Sequence, residues 1–392
     1  MKSAVINQKG LRRVRAGHPW VFRSDLTGTD ASDGEAVLVS DHGGRPAGTA
    51  FYSAGSQIAL RFFSRRHLDA TPEFFKGRLE SAAWLRERLY HGSTTGGAAT
   101  GAIRLFFGES DGIPALIIDR YGPVAVIQTL CPGSEQLKGL VADWCMSLDG
   151  VKAVVERNDV KVRALERLPI LAGTIRGTVP DVVEVHEGPL TMRVDVLHGQ
   201  KTGAFLDQRD NRELVAQNAR GRVLDAFCYQ GWFSMRAALK AISVTSIDSA
   251  PDAVALVAEN AARLGLKNVE PLEANAFDYL RECDLRGEQF GTVILDPPAF
   301  AKNRDSIDGA VRGYKEINLR ALKILEPGGF LFTFSCSYHM GEALFFDTIL
   351  EAAADAGRRV YLVRRLQQSL DHPIMLGFQE SAYLKGLMLR VE

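Results

Sequence analysis

The stretch Gly221–Asp248, GRVLDAFCYQGWFSMRAALKAISVTSID, restricts what this chain can fold into more than any other. Val223–Phe227 is a short apolar run that carries Asp225. A turn holding Gly231 follows, and Trp232–Leu239 has the spacing of a buried helix face. Ile242–Ile247 is a second β-branched run, with Asp248 at its end. Strand, tight turn, helix, strand and terminal acid make the βαβ unit of a nucleotide-binding sheet. The second acid follows the first at close to the ~20-residue interval at which a carboxylate meets a ribose hydroxyl. The turn lacks G-x-G-x-x-G, and Gly231 is its one glycine, so no glycine-lined path leads a pyrophosphate to the helix N-terminus. A cofactor with a ribose and no phosphates fits better, S-adenosylmethionine being the common one.

The alternation continues to the end of the chain. Helices are expected at Val254–Leu264, from Ala276, at Ile317–Leu325 and at Glu342–Ala354. Strands are expected at Val269–Leu272, Thr292–Leu295, Phe330–Phe334, Val360–Arg364 and Tyr383–Arg390. Strands alternating with helices predict an α/β fold, a doubly wound, largely parallel Rossmann-like sheet. Ligands of such sheets sit outside the carboxyl ends of the strands. Asp225, Asp248, Asp296 and Cys336 all fall at or near ends of that kind.

Residues before this sheet read differently. Ala36–Ser40, Pro46–Tyr52 and Ile58–Phe63 are short strands separated by glycine-rich turns, with no convincing helix before residue 70, which suggests a small barrel. The runs Gly10–Phe22 (GLRRVRAGHPWVF) and Gly34–Val39 (GEAVLV) resemble a PUA domain, a small β-barrel associated with RNA binding. From Thr71 the pattern becomes α+β. A helix is expected over Pro72–His91, a turn over Gly92–Gly101, strands at Ile103–Phe107, Ala115–Asp119, Val124–Leu130 and Val151–Glu156, and a helix around Gln136–Leu148. Val182–Val196 alternates about Gly188-Pro189 as a β-hairpin. Three domains are therefore expected: 1–70, 71–183 and 184–392, the last beginning with the hairpin. The polar loop Gly199–Arg212 stands just before the sheet, where loops often close over a ligand.

Composition bounds the function classes. The formal net charge is zero, but residues 1–70 hold ten Lys/Arg against six Asp/Glu, clustered as Lys9-Arg12-Arg13-Arg15 and as Arg61-Arg65-Arg66. That distribution keeps nucleic acid open as a partner. No apolar run approaches the ~18 residues of a membrane span, and Met1–Trp20 has no apolar core of signal-peptide length, so a cytoplasmic protein without a membrane partner is expected. Five cysteines form no C-x-x-C pair, which predicts reduced thiols and no metal.

Two motifs carry chemistry. In Asp296-Pro297-Pro298 the prolines fix an extended, rigid exit from the sheet. A carboxylate held there can accept a hydrogen bond from a base amino group, as acids do with cytosine N4. Phe300 is placed to stack on that base. Cys336, between Ser335 and Ser337, is the candidate nucleophile. Carbon 5 of a pyrimidine attacks a methyl sulfonium poorly; thiolate addition at carbon 6 makes carbon 5 enamine-like. An amine acceptor needs no thiol.

With these residues in place, the chain resembles the PUA-containing large-subunit ribosomal RNA cytosine-5 methyltransferases, a class I S-adenosylmethionine-dependent family. The resemblance runs over almost the whole length, through Gln200-Lys201-Thr202-Gly203, Phe205-Leu206-Asp207-Gln208-Arg209, Asp225-x-Phe227-x-Tyr229-x-Gly231, Asp296-Pro297-Pro298-x-Phe300 and Ser335-Cys336-Ser337. It implies that Lys201, Thr202, Phe205, Gln208 and Arg212 contact the cofactor. Asp225, Phe227, Tyr229 and Gly231 would border its methionine part, Asp248 its ribose, and Asn275, Ala276 and Phe277 its adenine, with Asp296 close by. Cys336 and Asp296 would be catalytic, with 23S rRNA the implied substrate; from charge clustering Lys9, Arg12, Arg13, Arg15, Arg61, Arg65 and Arg66, and from its ring Phe300, are expected to hold RNA. The oligomeric state stays open, a homodimer included. An RNA amino-methyltransferase, a non-catalytic RNA-binding protein and a nicotinamide oxidoreductase remain as alternatives, the last disfavoured by the missing glycines.

Overall fold

A computed structural model describes residues 1–91, 101–301 and 304–392, so the turn expected over Gly92–Gly101 lies almost wholly outside the described residues. The chain divides into two compact units, Met1–Leu206 with Leu370–Ser381, and Asp207–Ser369 with Ala382–Glu392.

The first unit opens with a six-stranded sheet: β1 (Lys2–Ile6), β2 (Trp20–Phe22), β3 (Leu26–Thr29), β4 (Ala36–Asp41), β5 (Pro46–Tyr52) and β6 (Ile58–Ser64), in the order β2-β6-β5-β4-β1-β3. Along β4, buried residues alternate with partly exposed ones, so Val37 and Val39 enter the core with Ile6, Val21 and Leu60. A helix at Gln8–Arg15 corrects the expectation of none before residue 70. Asn7 caps it, its side chain accepting from the Gly10 N–H, and Leu11 and Val14 anchor it. Only those two large apolar residues stand in a mostly polar stretch of eight, too few to show a period.

A second sheet follows: β7 (Ala102–Phe107), β8 (Leu116–Tyr121), β9 (Val124–Thr129), β10 (Ala153–Asn158) and β11 (Leu171–Gly177), ordered β11-β10-β9-β8-β7. Helix Lys138–Ser147 links the parallel pair β9 and β10. Phe51 and Phe63 of the first sheet share one core with Phe75, Leu79, Phe106, Ile127 and Trp144, so the segments expected as domains 1–70 and 71–183 pack as one body. The hairpin β12 (Val183–Glu187) and β13 (Leu190–Val194) also falls in this unit rather than with the C-terminal sheet.

The second unit is a seven-stranded sheet: β14 (Arg222–Ala226), β15 (Ser243–Asp248), β16 (Val269–Glu273), β17 (Phe290–Leu295), β18 (Leu325–Ser335), β19 (Val360–Gln367) and β20 (Lys385–Val391). Its order is β16-β15-β14-β17-β18-β20-β19, with β20 antiparallel to both neighbours and the other pairings parallel. Alternate side chains of the central strands feed two cores. Leu224, Ala226, Val293, Leu295 and Leu331 enter one; Val223, Val244, Ile294, Phe332 and Phe334 enter the other. Burial on both faces explains why these strands read as continuous apolar runs. From β14 the chain winds outward through β15 and β16, then returns to β17 on the other side. The switch point thus lies between β14 and β17, where such sheets open a crevice for a ligand.

Candidate active site

Four polar residues stand at that crevice. Asp225 is the penultimate residue of β14, and Asp248 ends β15. Asp296 follows the last residue of β17, and Cys336 follows the last residue of β18. Pairings Ala226↔Leu295, Ala226↔Ile247 and Leu295↔Thr333 align these ends.

The turn after β14 is wound tightly. Phe227 (φ 66°), Tyr229 (φ 48°) and Gly231 (φ 74°) all take left-handed backbone, a region two of these three residue types adopt only at a cost. Asp248 holds the turn: one carboxylate oxygen accepts from the Tyr229 N–H at 3.1 Å, the other from the Ala250 N–H at 3.0 Å. Gly231 is needed for space as well, because a Cβ there would stand 2.9 Å from a Val257 methyl.

Asp225 is fully buried. Its Oδ2 accepts from the Ser234 hydroxyl at 2.5 Å, which in turn accepts from the Ser246 hydroxyl at 2.7 Å. Its Oδ1 is buried with no hydrogen-bond partner among the described residues. Burial, reinforced by the charges of Asp296 and Asp248, pushes its carboxyl up to about 7. The Gln208 amide is in the same position: Oε1 accepts from Asn211 at 2.6 Å, while the buried Nε2 has no hydrogen-bond partner among the described residues. Two orphaned polar atoms in a dry setting fit a ligand that brings its own donor and acceptor. The cationic amino group and carboxylate of S-adenosylmethionine's methionine part supply that pair.

On the adenine side, Asn275 spends its side-chain oxygen capping helix Ala276–Arg286, accepting from the Phe277 and Asp278 N–H groups. Ala276 is buried behind it. Phe277 meets Phe300 at 5.8 Å and Phe227 at 6.5 Å between ring centroids. Phe300, assigned to RNA from sequence, also lies 4.7 Å from Tyr314 and belongs to this aromatic group, its ring partly exposed.

The cysteine stands differently from its four relatives, which are all buried; Cys336 is half-buried. Its thiol reaches the Pro297 carbonyl at 3.9 Å, which joins it to the Asp296-Pro297-Pro298 segment. Ser335 donates to Tyr314 Oη at 2.9 Å, and Ser337 lies 3.0 Å from the same oxygen while accepting from the Ala301 N–H. The flanking serines are thereby fixed, and the thiol between them is aimed. Lys385, missed in the sequence, pairs with Ser335 across β18 and β20. Its ammonium donates to the carbonyls of Ser337 (2.7 Å) and Tyr383 (2.9 Å). Burial brings its pKa down to about 8, opposed by the charge of Cys336. A cation beside a thiol favours the thiolate. The only signal for it in sequence is a lysine at the start of a strand, which says nothing of what that strand pairs with.

Several expected site residues have protein partners. Thr202 is buried, donating to the Asp119 carboxylate at 2.6 Å and lying 2.9 Å from Tyr121 Oη, so its hydroxyl pins the loop to β8. Lys201 sits over the Phe205 ring at 4.2 Å. Arg212 is buried over Trp232 at 5.0 Å. Arg61 is turned inward onto Glu166 at 2.6 Å and is unavailable to RNA. Arg13 is paired with the buried Asp25 at 2.8 Å and lies over Phe22, and Lys9 stands 3.8 Å from the same carboxylate. Arg12, Arg15, Arg65 and Arg66 are exposed. Among the described residues no helix is long and apolar enough to cross a membrane, and no His/Cys/Asp/Glu group could hold a metal ion.

Fold and site together define a class I methyltransferase: a sheet with a switch point, a βαβ unit ending in an acid, and two buried polar atoms beside it, Asp225 Oδ1 and Gln208 Nε2, with no hydrogen-bond partner among the described residues. Comparison with known proteins narrows this. Residues 128–390 match the S-adenosylmethionine-dependent methyltransferase family, and residues 5–65 match a PUA-like domain. The ribosomal RNA large subunit methyltransferase I of Shewanella denitrificans is 39% identical over 97% of each chain, and that of Shewanella frigidimarina 38% over 97% of each. A crystal structure described as the methyltransferase SMU.776 complexed with SAH superposes with a TM-score of 0.84 at 20% identity, covering 100% of both chains, a likeness of fold. The chain belongs to the S-adenosylmethionine-dependent methyltransferase family, with a PUA-like domain at its N-terminal side.

Proposed function

We propose that this enzyme methylates carbon 5 of a cytosine in large-subunit ribosomal RNA, in the cytoplasm, with Cys336 as a transient covalent nucleophile. The observation that carries the reading is the half-buried Cys336 thiol 3.9 Å from the Pro297 carbonyl at the switch-point edge, with the Lys385 ammonium beside it. Relatives named as rRNA large subunit methyltransferases support the substrate class.

S-adenosylmethionine, when bound, supplies the methyl group. Asp225 Oδ1 and Gln208 Nε2 would hold its methionine part, Asp248 its ribose, and Phe227 and Phe277 would flank its adenine. The chain's own work is on the base. Asp296, on a proline-stiffened exit, accepts from the cytosine amino group and fixes the ring's edge. The Cys336 thiolate, favoured by Lys385, adds to carbon 6, and the electron pair gained by the ring makes carbon 5 nucleophilic. After carbon 5 is methylated and loses its proton, the carbon–sulfur bond breaks and thiolate leaves. A base inside RNA must first leave its stack, at a few kcal/mol.

Incubation with labelled S-adenosylmethionine and total RNA, followed by nucleoside identification, tests the reading. 5-Methylcytidine from the native protein and none from Cys336→Ala is expected. Full turnover by Cys336→Ala, with the label on an amino nitrogen, would replace it with amino-methylation.

A further inference from the structure

The first unit contains a cavity of about 740 Å³ that the methyl-transfer chemistry does not use. Arg65, Arg66 and Arg78 line it, with the indole of Trp84 and the hydroxyl of Ser110. None of these three guanidinium groups has a carboxylate partner among the described residues, whereas the interior arginines Arg61, Arg86 and Arg104 are each paired with an acid. Two acids share the lining and both are engaged. Asp111 grips Arg86 through two contacts of 2.7 Å, and Glu109 accepts from the Trp20 indole at 2.7 Å. The cavity therefore carries a surplus of positive charge.

Its shape is made for these cations. Gly17 (φ 102°) and Gly112 (φ 87°) leave room on the wall, for a Cβ at the first would stand 2.8 Å from the Arg65 guanidinium and at the second 3.3 Å from that of Arg78. Trp84 is 59% exposed, with the Arg88 guanidinium over its ring at 5.4 Å, whereas the other large apolar side chains of its helix, Phe74, Phe75, Leu79, Leu85 and Leu89, are at least partly buried. Ser110 Oγ is buried and has no hydrogen-bond partner among the described residues. Unpaired guanidiniums answer phosphate, an open indole face answers a base, and an orphaned hydroxyl answers a ribose or phosphate oxygen.

We propose that this cavity is a subsite for single-stranded RNA, with phosphodiester oxygens on Arg65 and Arg78 and one unstacked base on Trp84. A duplex, whose bases are already stacked and whose surface is convex, would not reach the indole. The proposal rests on RNA being the substrate and specifies where the first unit holds a strand.

Fluorescein-labelled hexauridylate is titrated into the full-length protein at several salt concentrations and followed by anisotropy. Trp84→Ala is expected to weaken binding by about tenfold, the loss of one stacked base. Arg65→Ala/Arg78→Ala is expected to lower the slope of log affinity against log salt by about 1.4, two phosphates' worth for a single strand. Native melting temperature and native S-adenosylmethionine affinity verify the folding of each variant, and Trp84→Leu replaces Trp84→Ala if the latter unfolds. Native affinity and slope in both variants, no binding of the oligonucleotide by the native protein at low salt, or a duplex bound as tightly with the same dependence on Trp84 would each overturn the subsite. Its failure is separable from that of the proposed activity. Variants that methylate cytosine at native KM remove the subsite alone, whereas impaired oligonucleotide binding with no methylated cytosine removes the activity alone.

Discussion

Arg61 and Arg65 stand at either end of one short segment and have opposite fates. Arg61 is sealed against Glu166, so Arg61→Ala strands a buried carboxylate. Urea unfolding is expected to show a loss of about 3–5 kcal/mol, with the salt dependence of RNA binding unchanged. Asp225 gives the second residue-level expectation. Its folded carboxyl titrates near 7, against an ordinary 3.8, because it is buried. A raised value means the folded state holds the proton more tightly, so the stabilisation is complete below about pH 4 and is lost as pH rises towards 7. Asp225→Asn should remove that decline in thermal melts across this window. The same change should weaken S-adenosylmethionine binding by on the order of tenfold to a hundredfold in calorimetry, the worth of a charge-assisted hydrogen bond. Lys385→Met should move the pH midpoint of Cys336 alkylation by iodoacetamide upward, since the cation beside the thiol is gone. An unmoved midpoint would leave Lys385 only a structural role.

Among the elements, the turn Phe227–Gly231 is the most demanding. Gly231→Ala meets both a left-handed φ and the Val257 methyl, so a stability loss above about 1 kcal/mol and weaker cofactor binding are expected together. Denaturant titration and calorimetry on one preparation check both. The turn, its flanking strands and the acid after each were legible in sequence, because strands buried on both faces must be apolar throughout and their ends are marked by the first polar group. Elements at the margin of the core were not. Helix Gln8–Arg15 has only Leu11 and Val14 to show a period, and strand β11 is exposed along most of its length. Lys385 was illegible for another reason: the register Ser335↔Lys385 joins strands from distant parts of the chain, and no local pattern states it. The partners of Thr202 and Arg61 were illegible because sequence gives residue type without direction; Asp119 and Glu166 lie far off in the chain.

At the scale of the molecule, the sheet carries the proposed cofactor crevice and the proposed nucleophile, and the first unit carries exposed cations and an exposed indole. Arg12→Glu/Arg15→Glu, both exposed, should weaken RNA binding and flatten its salt dependence while leaving cofactor affinity at the native value, as read by anisotropy and calorimetry. Covalent capture bears most directly on the central claim. RNA carrying 5-fluorocytidine, whose fluorine cannot leave as a proton does, is incubated with the protein and S-adenosylmethionine and resolved under denaturing conditions. A protein–RNA band that survives denaturation, maps to Cys336 by mass spectrometry and vanishes in Cys336→Ala is the predicted result. Methylated RNA with no covalent band, or a band that persists in Cys336→Ala, would contradict it.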